Sequence, residues 1–423
     1  MTLTAPHAKK TMSKIYTMKE KKKEYASLLI RVGLDVREGH HLIIHAPVSA
    51  AEFVRDCMDE AYEAGAGEVE VIWSDDAVTR AHFLHAADEY IDSTPAWRRE
   101  LMNGYAKEGA SRLFIESTDP MNLAGVDPDR LLRSARVKGK DFAEFYRLET
   151  TSAFPWCIAA IPSEAWAKQV FPDRSDAETA LWHAILETVR VKGDGTAVEA
   201  WREHLSMLKA RTEKLNAYRF ASLHYQNSLG TDLTVALPEG HIWQSGEDRT
   251  PKGHGFVANM PTEEIFTAPL KTGVNGVVYA SMPLVEDGNL IDGFHMVLKD
   301  GKIVEIHARV GEEILKNATL IDEGACYLGE AALIPYDSPI SNQKILYYNT
   351  LFDENASCHL AFGAAYPCLV GGNEMSDEEL MAHGLNVSSQ HTDFMIGTPD
   401  LSIVGTTHDG ERIEIFKNGN FCF

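Results

Sequence analysis

Four short segments in the second half of this chain put ionisable side chains where the neighbouring residues read as buried. LFDENASCHLAFGAAYP, Leu351 to Pro367, carries Asp353, Glu354, His359 and Tyr366 among small and apolar residues. In NVSSQHTDFMIG, His391 and Asp393 stand two apart, so on a strand both point to one face. GEAALIPYDSPIS holds Glu330 alone, and a buried carboxylate is costly unless it is paired, protonated or bound to a cation. NMPTEEIFTAP brings Glu263 and Glu264 into an apolar, β-rich stretch, where alternation turns one of the pair inward and the other out.

Each segment alone has an ordinary explanation. A glutamate at a strand end reaches water, a core histidine finds a hydrogen bond, and His-x-Asp occurs by chance. The inventory argues more strongly than its parts. Glu264, Glu330, Glu354 and Asp393 would gather their charge in one pocket, with His359 and His391 as neutral nitrogen donors and no lysine or arginine in these motifs. Two divalent cations would offset that charge, held roughly 3.5–4 Å apart as in other two-metal sites. Mixed carboxylate and imidazole donors suit zinc, cobalt or manganese better than calcium, with magnesium also admissible. Glu354 and His359 are five apart and share no helix face, so they converge only if a turn at 355–357 separates them.

The elements that must position these residues fall into two kinds. In the first third, helical spacing at Tyr25, Leu28, Leu29 and Val32 and at Phe53, Cys57 and Ala61 alternates with apolar runs. Those runs, HHLIIHA, GAGEVEVIWS, RLFIEST and WCIAAIP, predict a parallel sheet covered by helices. No GxGxxG follows any of these strands, so a dinucleotide site is not supported. Residues 175–218 read as helical with a break at KGDGT; beyond them short strands and tight turns dominate, with hairpins at Asp300-Gly301 and Asp409-Gly410. The expected fold class is therefore mixed, α/β and α+β. An N-terminal α/β domain spans residues 1–220, its first 20 a mobile tail, and a β-rich C-terminal domain, 221–423, carries the metal site.

Composition narrows the partners. With 40 basic against 62 acidic residues and a net charge of −22, the 423-residue chain is a poor ligand for nucleic acid or an anionic membrane. No signal-like or membrane-spanning apolar run is present, and six scattered cysteines without a CxxC pair fit reduced thiols in a cytoplasm. Cys358, next to His359, reads as core packing, and the absence of GxSxG argues against a serine hydrolase.

In this order and at this length, EEIFTAP, GEAALIPYDSPIS, YYNTLFDENASCHLAFGAAYP and HTDFMIG resemble the metallo-aminopeptidases of family M29. The similarity extends to YASLLIRVGLDVREGHHLIIHA and to LPEGHIW, departing at Ile242. The resemblance implies metal ligands at Glu264, Glu330, Glu354, His359, His391 and Asp393 and an active-site tyrosine at Tyr366. It also implies a homodimer and the metal-dependent release of N-terminal residues from peptides. In the mechanism that fits these residues, Glu330 bridges the ions and Tyr366 donates to the developing oxyanion. Either Glu263 or Glu354 carries the proton to the leaving amine. Other amidohydrolases, or a binding protein with structural metals, are the rival readings.

Overall fold

The computed structural model describes residues 16–286 and 289–423. Thr17 caps the first helix, Met18–Leu28, and exchanges hydrogen bonds with Glu20 in a capping box, which satisfies two otherwise orphaned N–H groups. Ordered chain thus begins before residue 20; the rest of the expected tail, residues 1–15, lies outside the described residues.

The strands His41–Pro47, Glu68–Ser74, Ser111–Glu116 and Trp156–Ala160 pair in parallel, as their apolar runs predict. A fifth strand, Asn259–Met260, joins the edge beside Trp156–Ala160, also in parallel. The core around this sheet draws on Ile340, Tyr347 and Phe352 as well, so residues from both ends of the chain share one apolar cluster. The helices Ala177–Thr188 and Ala197–Tyr218 are separated at the KGDGT break.

Beyond residue 218 the strands other than Asn259–Met260 are antiparallel. Eight of them form one sheet whose centre pairs Phe220–Gln226 with Asp232–Ala236 and Ser402–Thr407. At its edge, Asp300 and Gly301 both adopt positive φ, 48° and 83°, as a two-residue hairpin of the right twist requires. The second Asp-Gly differs from expectation, since only Gly410 is left-handed, at φ 90°. There Thr407 closes a longer loop by donating its N–H to the Glu411 carbonyl and its hydroxyl to Asp409, which relieves Asp409 of any need for positive φ.

The sheet that matters for chemistry has five strands in the order His391–Met395, His359–Gly363, Leu328–Leu333, Ile265–Thr267, Gln244–Ser245. Its register sets Glu330 opposite Ala361, and Ala361 opposite Asp393. The small alanine side chain between the two acids leaves a gap on that face. His359 and His391 lie two residues from Ala361 and Asp393, on the same side of the pleat. Gly329, next to Glu330, lets this strand approach its neighbour: a Cβ there would meet the Ala364 carbonyl oxygen at 2.1 Å.

All six cysteines are free, and Cys358 is buried. Among the described residues no helix is long and apolar enough to cross a membrane.

Candidate metal centre

Five of the expected ligands meet in two overlapping groups, Glu264–Glu330–His359 and Glu330–His391–Asp393. Glu330 belongs to both. Its Oε1 lies 3.3 Å from His359 Nε2 and its Oε2 lies 3.6 Å from His391 Nε2, so each oxygen addresses a different imidazole. Glu264 Oε2 is 3.4 Å from His359 Nε2, and Asp393 Oδ1 is 3.3 Å from His391 Nε2.

Both imidazoles are held by their other nitrogen. His359 Nδ1 donates to the Glu354 carbonyl at 3.0 Å, and His391 Nδ1 donates to the Ala364 carbonyl at 2.8 Å. A carbonyl only accepts, so Nδ1 carries a proton in each ring, and Nε2, which points at the carboxylates, is the nitrogen that becomes a ligand when it gives up its own. The turn expected after Glu354 exists: residues 354–356 make one turn of 3-10 helix and His359 opens the following strand.

Glu354 lies outside both groups but beside them. The Asn355 amide donates to its Oε1 at 3.2 Å, and its own carboxyl bonds Asp393. Asn355, fully buried, also accepts from the Glu263 N–H at 2.8 Å and donates to the Leu351 carbonyl at 3.0 Å, tying two of the four sequence segments together.

The electrostatics are those of an acidic basket filled with protons. Burial, then repulsion from Glu330, raises the Glu264 carboxyl to about 8. Burial, then Asp393 and Glu264, raises Glu354 well above the carboxylate range. For His359 burial opposes the charge, yet the Glu330 bond and the neighbouring acids lift it to about 9; for His391 Asp393 does the same, to about 10. Burial also opposes ionisation of Asp393, but His391 overcomes it and keeps Asp393 low. Asp393 Oδ1 is buried and, among the described residues, has no well-aligned hydrogen bond, with His391 Nε2 3.3 Å from it. A buried carboxylate oxygen facing two imidazoles whose Nε2 atoms can ligate once deprotonated, with a glutamate shared between them, is a donor set for divalent cations, which the residues present fit.

Two acids are placed elsewhere. Glu263 does not face solvent as alternation predicts. It is buried against Arg190, whose Nη2 lies 2.7 Å from its Oε1, with His204 Nε2 3.6 Å from Oε2. Both glutamates precede the strand Ile265–Thr267, so the period-two rule does not govern them. Asp353 accepts from the N–H groups of Tyr347 at 2.8 Å and Asn349 at 3.1 Å and fixes that loop. Sequence reasoning missed Arg190, His204 and Asn355; nothing local marks the first two, which sit some 60–70 residues before their partner.

The centre opens into a cavity of about 420 Å³ that Glu264 and Glu330 line together with Tyr366, Trp243, Phe266 and Asn373. The Tyr366 ring packs edge-on to His391, centroids 5.5 Å apart, and against Phe266. Burial, then the nearby carboxylates, raises its phenol pKa, so the hydroxyl stays a donor.

Residues 18–421 match the family model described as thermophilic metalloprotease (M29). The chain belongs to family M29. The M29 protein is 43% identical over 407 residues to aminopeptidase AmpS of Bacillus subtilis (strain 168), covering 96% of this chain and 99% of that one. It is 40% identical over 398 residues to aminopeptidase T of Thermus aquaticus, covering 94% and 97%. Its fold is similar to that of wild-type AmpT from Thermus thermophilus, with a TM-score of 0.89 at 37% identity over 96% of this chain and 100% of that one. This M29 protein is accordingly a hydrolase, a metallo-aminopeptidase.

Proposed function

We propose that the enzyme removes N-terminal residues from peptides, with broad tolerance at the first side chain, by means of two divalent metal ions. The observation that carries this reading is the pair of donor groups sharing Glu330 at the floor of a peptide-sized cavity. Glu264, His359, His391 and Asp393 would complete the two sites, with zinc, cobalt or manganese as the fitting ions and magnesium admissible. Ions held there would supply Lewis acidity at the scissile carbonyl and an activated water.

The chain's own groups do the rest. The Tyr366 hydroxyl donates to the carbonyl oxygen as negative charge develops on it. Glu354 takes a proton from water and passes it to the leaving amine, a task for a carboxyl whose pKa burial has raised. Glu263 is unsuited to that role because Arg190 holds its carboxylate. Glu354 can still contribute an oxygen to the metal that Asp393 holds, being bonded to Asp393 already.

We retain a division of the chain near residue 220, in which the first part walls the cavity through Trp156, Leu205 and Lys209. A homodimer and a cytoplasmic location belong to the same reading, the first checked by sedimentation. The decisive assay compares a peptide with a free N-terminus and its acetylated counterpart, before and after chelation. Release from the free peptide alone, abolished by chelation, is expected; equal cleavage of both refutes the aminopeptidase reading.

A further inference from the structure

A second cavity, of about 410 Å³, reaches the same centre at Asp393 and shares no lining residue with the first. Leu284, Leu346 and Tyr348 give it apolar walls, and Glu116 and Asn349 stand among them. Among the described residues no lysine, arginine or histidine lines it, whereas Lys209 and Arg249 line the first cavity. Glu116 ends a strand of the parallel sheet, and loops beyond the carboxyl ends of parallel strands are where such sheets build ligand sites.

The polar atoms here are acceptors short of donors. Glu116 Oε2 accepts from Asn349 Nδ2 at 2.8 Å, its one side-chain hydrogen bond among the described residues. Asn349 Oδ1 is buried and has no hydrogen-bond partner among the described residues. Arg112, the basic residue that acts on Glu116, is already paired with Glu149. A half-buried carboxylate beside an unpaired amide oxygen is costly unless a cationic donor arrives. A primary ammonium, with three N–H groups, satisfies both.

We propose that this second cavity is the subsite for the first residue of the peptide, its apolar walls receiving the side chain while Glu116, oriented by Asn349, receives the α-ammonium. The rest of the peptide then leaves through the first cavity, past Tyr366. The inference rests on the aminopeptidase reading and adds to it a specificity residue from the part of the chain that carries none of the metal donors.

The test uses metal-loaded wild type and E116Q, whose amide oxygen still accepts from Asn349 and which keeps the metal content of the wild type. Inhibition of leucine 4-nitroanilide hydrolysis is measured with 3-methylbutylamine and with 3-methylbutan-1-ol, which differ only in the amine. The wild-type preference for the amine is expected to fall roughly 10- to 100-fold in E116Q, the loss of one charge-assisted bond. A fall below about threefold overturns the proposal. T118W, at the exposed rim of the cavity, is expected to slow leucine and phenylalanine anilides relative to alanine anilide; equal slowing of all three also overturns it. If metal-loaded wild type hydrolyses none of the anilides, the aminopeptidase reading itself falls, a result distinct from either variant outcome.

Discussion

Removing the metals should make the stability of this protein fall with rising pH in a way the loaded enzyme does not. In the metal-free fold Glu264 holds its proton up to about 8, whereas an unfolded glutamate releases it near 4.5. Folding therefore takes up a proton between those values, and stability contributed by this group declines as pH rises from 4.5 to 8. His359 and His391, raised to about 9 and 10, act in the same direction: their charge is favoured by the fold and is lost as pH climbs through those values. Asp393, held low, is ionised in both states across this range and adds no slope. From pH 6 to pH 8, Glu264 alone removes about 2 kcal/mol. The two histidines draw on the same few charges, so we count one group and take that value as the order of magnitude. Other titrating groups cancel in a comparison of the two forms; His45 and His204, both lowered to about 3 chiefly by burial, are the largest of them. The assay is urea unfolding of metal-loaded and chelated protein at a series of pH values, with midpoints converted through slopes measured in the same series. The gap between the two forms is expected to widen by about 2 kcal/mol from pH 6 to pH 8, since ligated carboxylates and imidazoles have no proton to lose. A constant or narrowing gap would refute the claim that these groups form one interacting cluster.

Three substitutions test individual roles. Glu330→Gln replaces one oxygen of the shared carboxylate by an amide nitrogen that cannot ligate; activity and at least one equivalent of bound metal should be lost, as elemental analysis would show. Tyr366→Phe should retain both metals and slow turnover roughly 10²- to 10³-fold, the cost of one oxyanion donor; an unchanged kcat removes the tyrosine from the chemistry. Arg190→Met strands the buried Glu263 carboxylate and should cost about 3–5 kcal/mol in unfolding experiments. Its metal content should stay that of the wild type, because Glu263 faces away from the ligands.

Much of the site is legible in the linear chain because four of its donors, Glu330, His359, His391 and Asp393, sit on strands. His391 and Asp393 share a face by the period of two, and the turn at 355–357 is the route by which Glu354 and His359 can meet; both relations are local. Long, distinctive segments also carry the family, and the alternating helices and strands of the first third follow from their own apolar spacing. What depends on residues far apart in the chain was decided only by folding. Which of Glu263 and Glu264 joins the donor groups is set by Arg190 and His204, on or near helices packed behind them, not by alternation. That Glu330 serves both groups depends on antiparallel register, with Ala361 leaving the gap between Glu330 and Asp393. Asn355 as a tie between segments, and Glu116 beside Asn349 across 233 positions, are likewise products of tertiary packing. The residue types and their local periodicity thus determined that an acidic, imidazole-bearing site exists, while the sharing of Glu330 between its donor groups and its two cavities arise from long-range packing that no local pattern encodes.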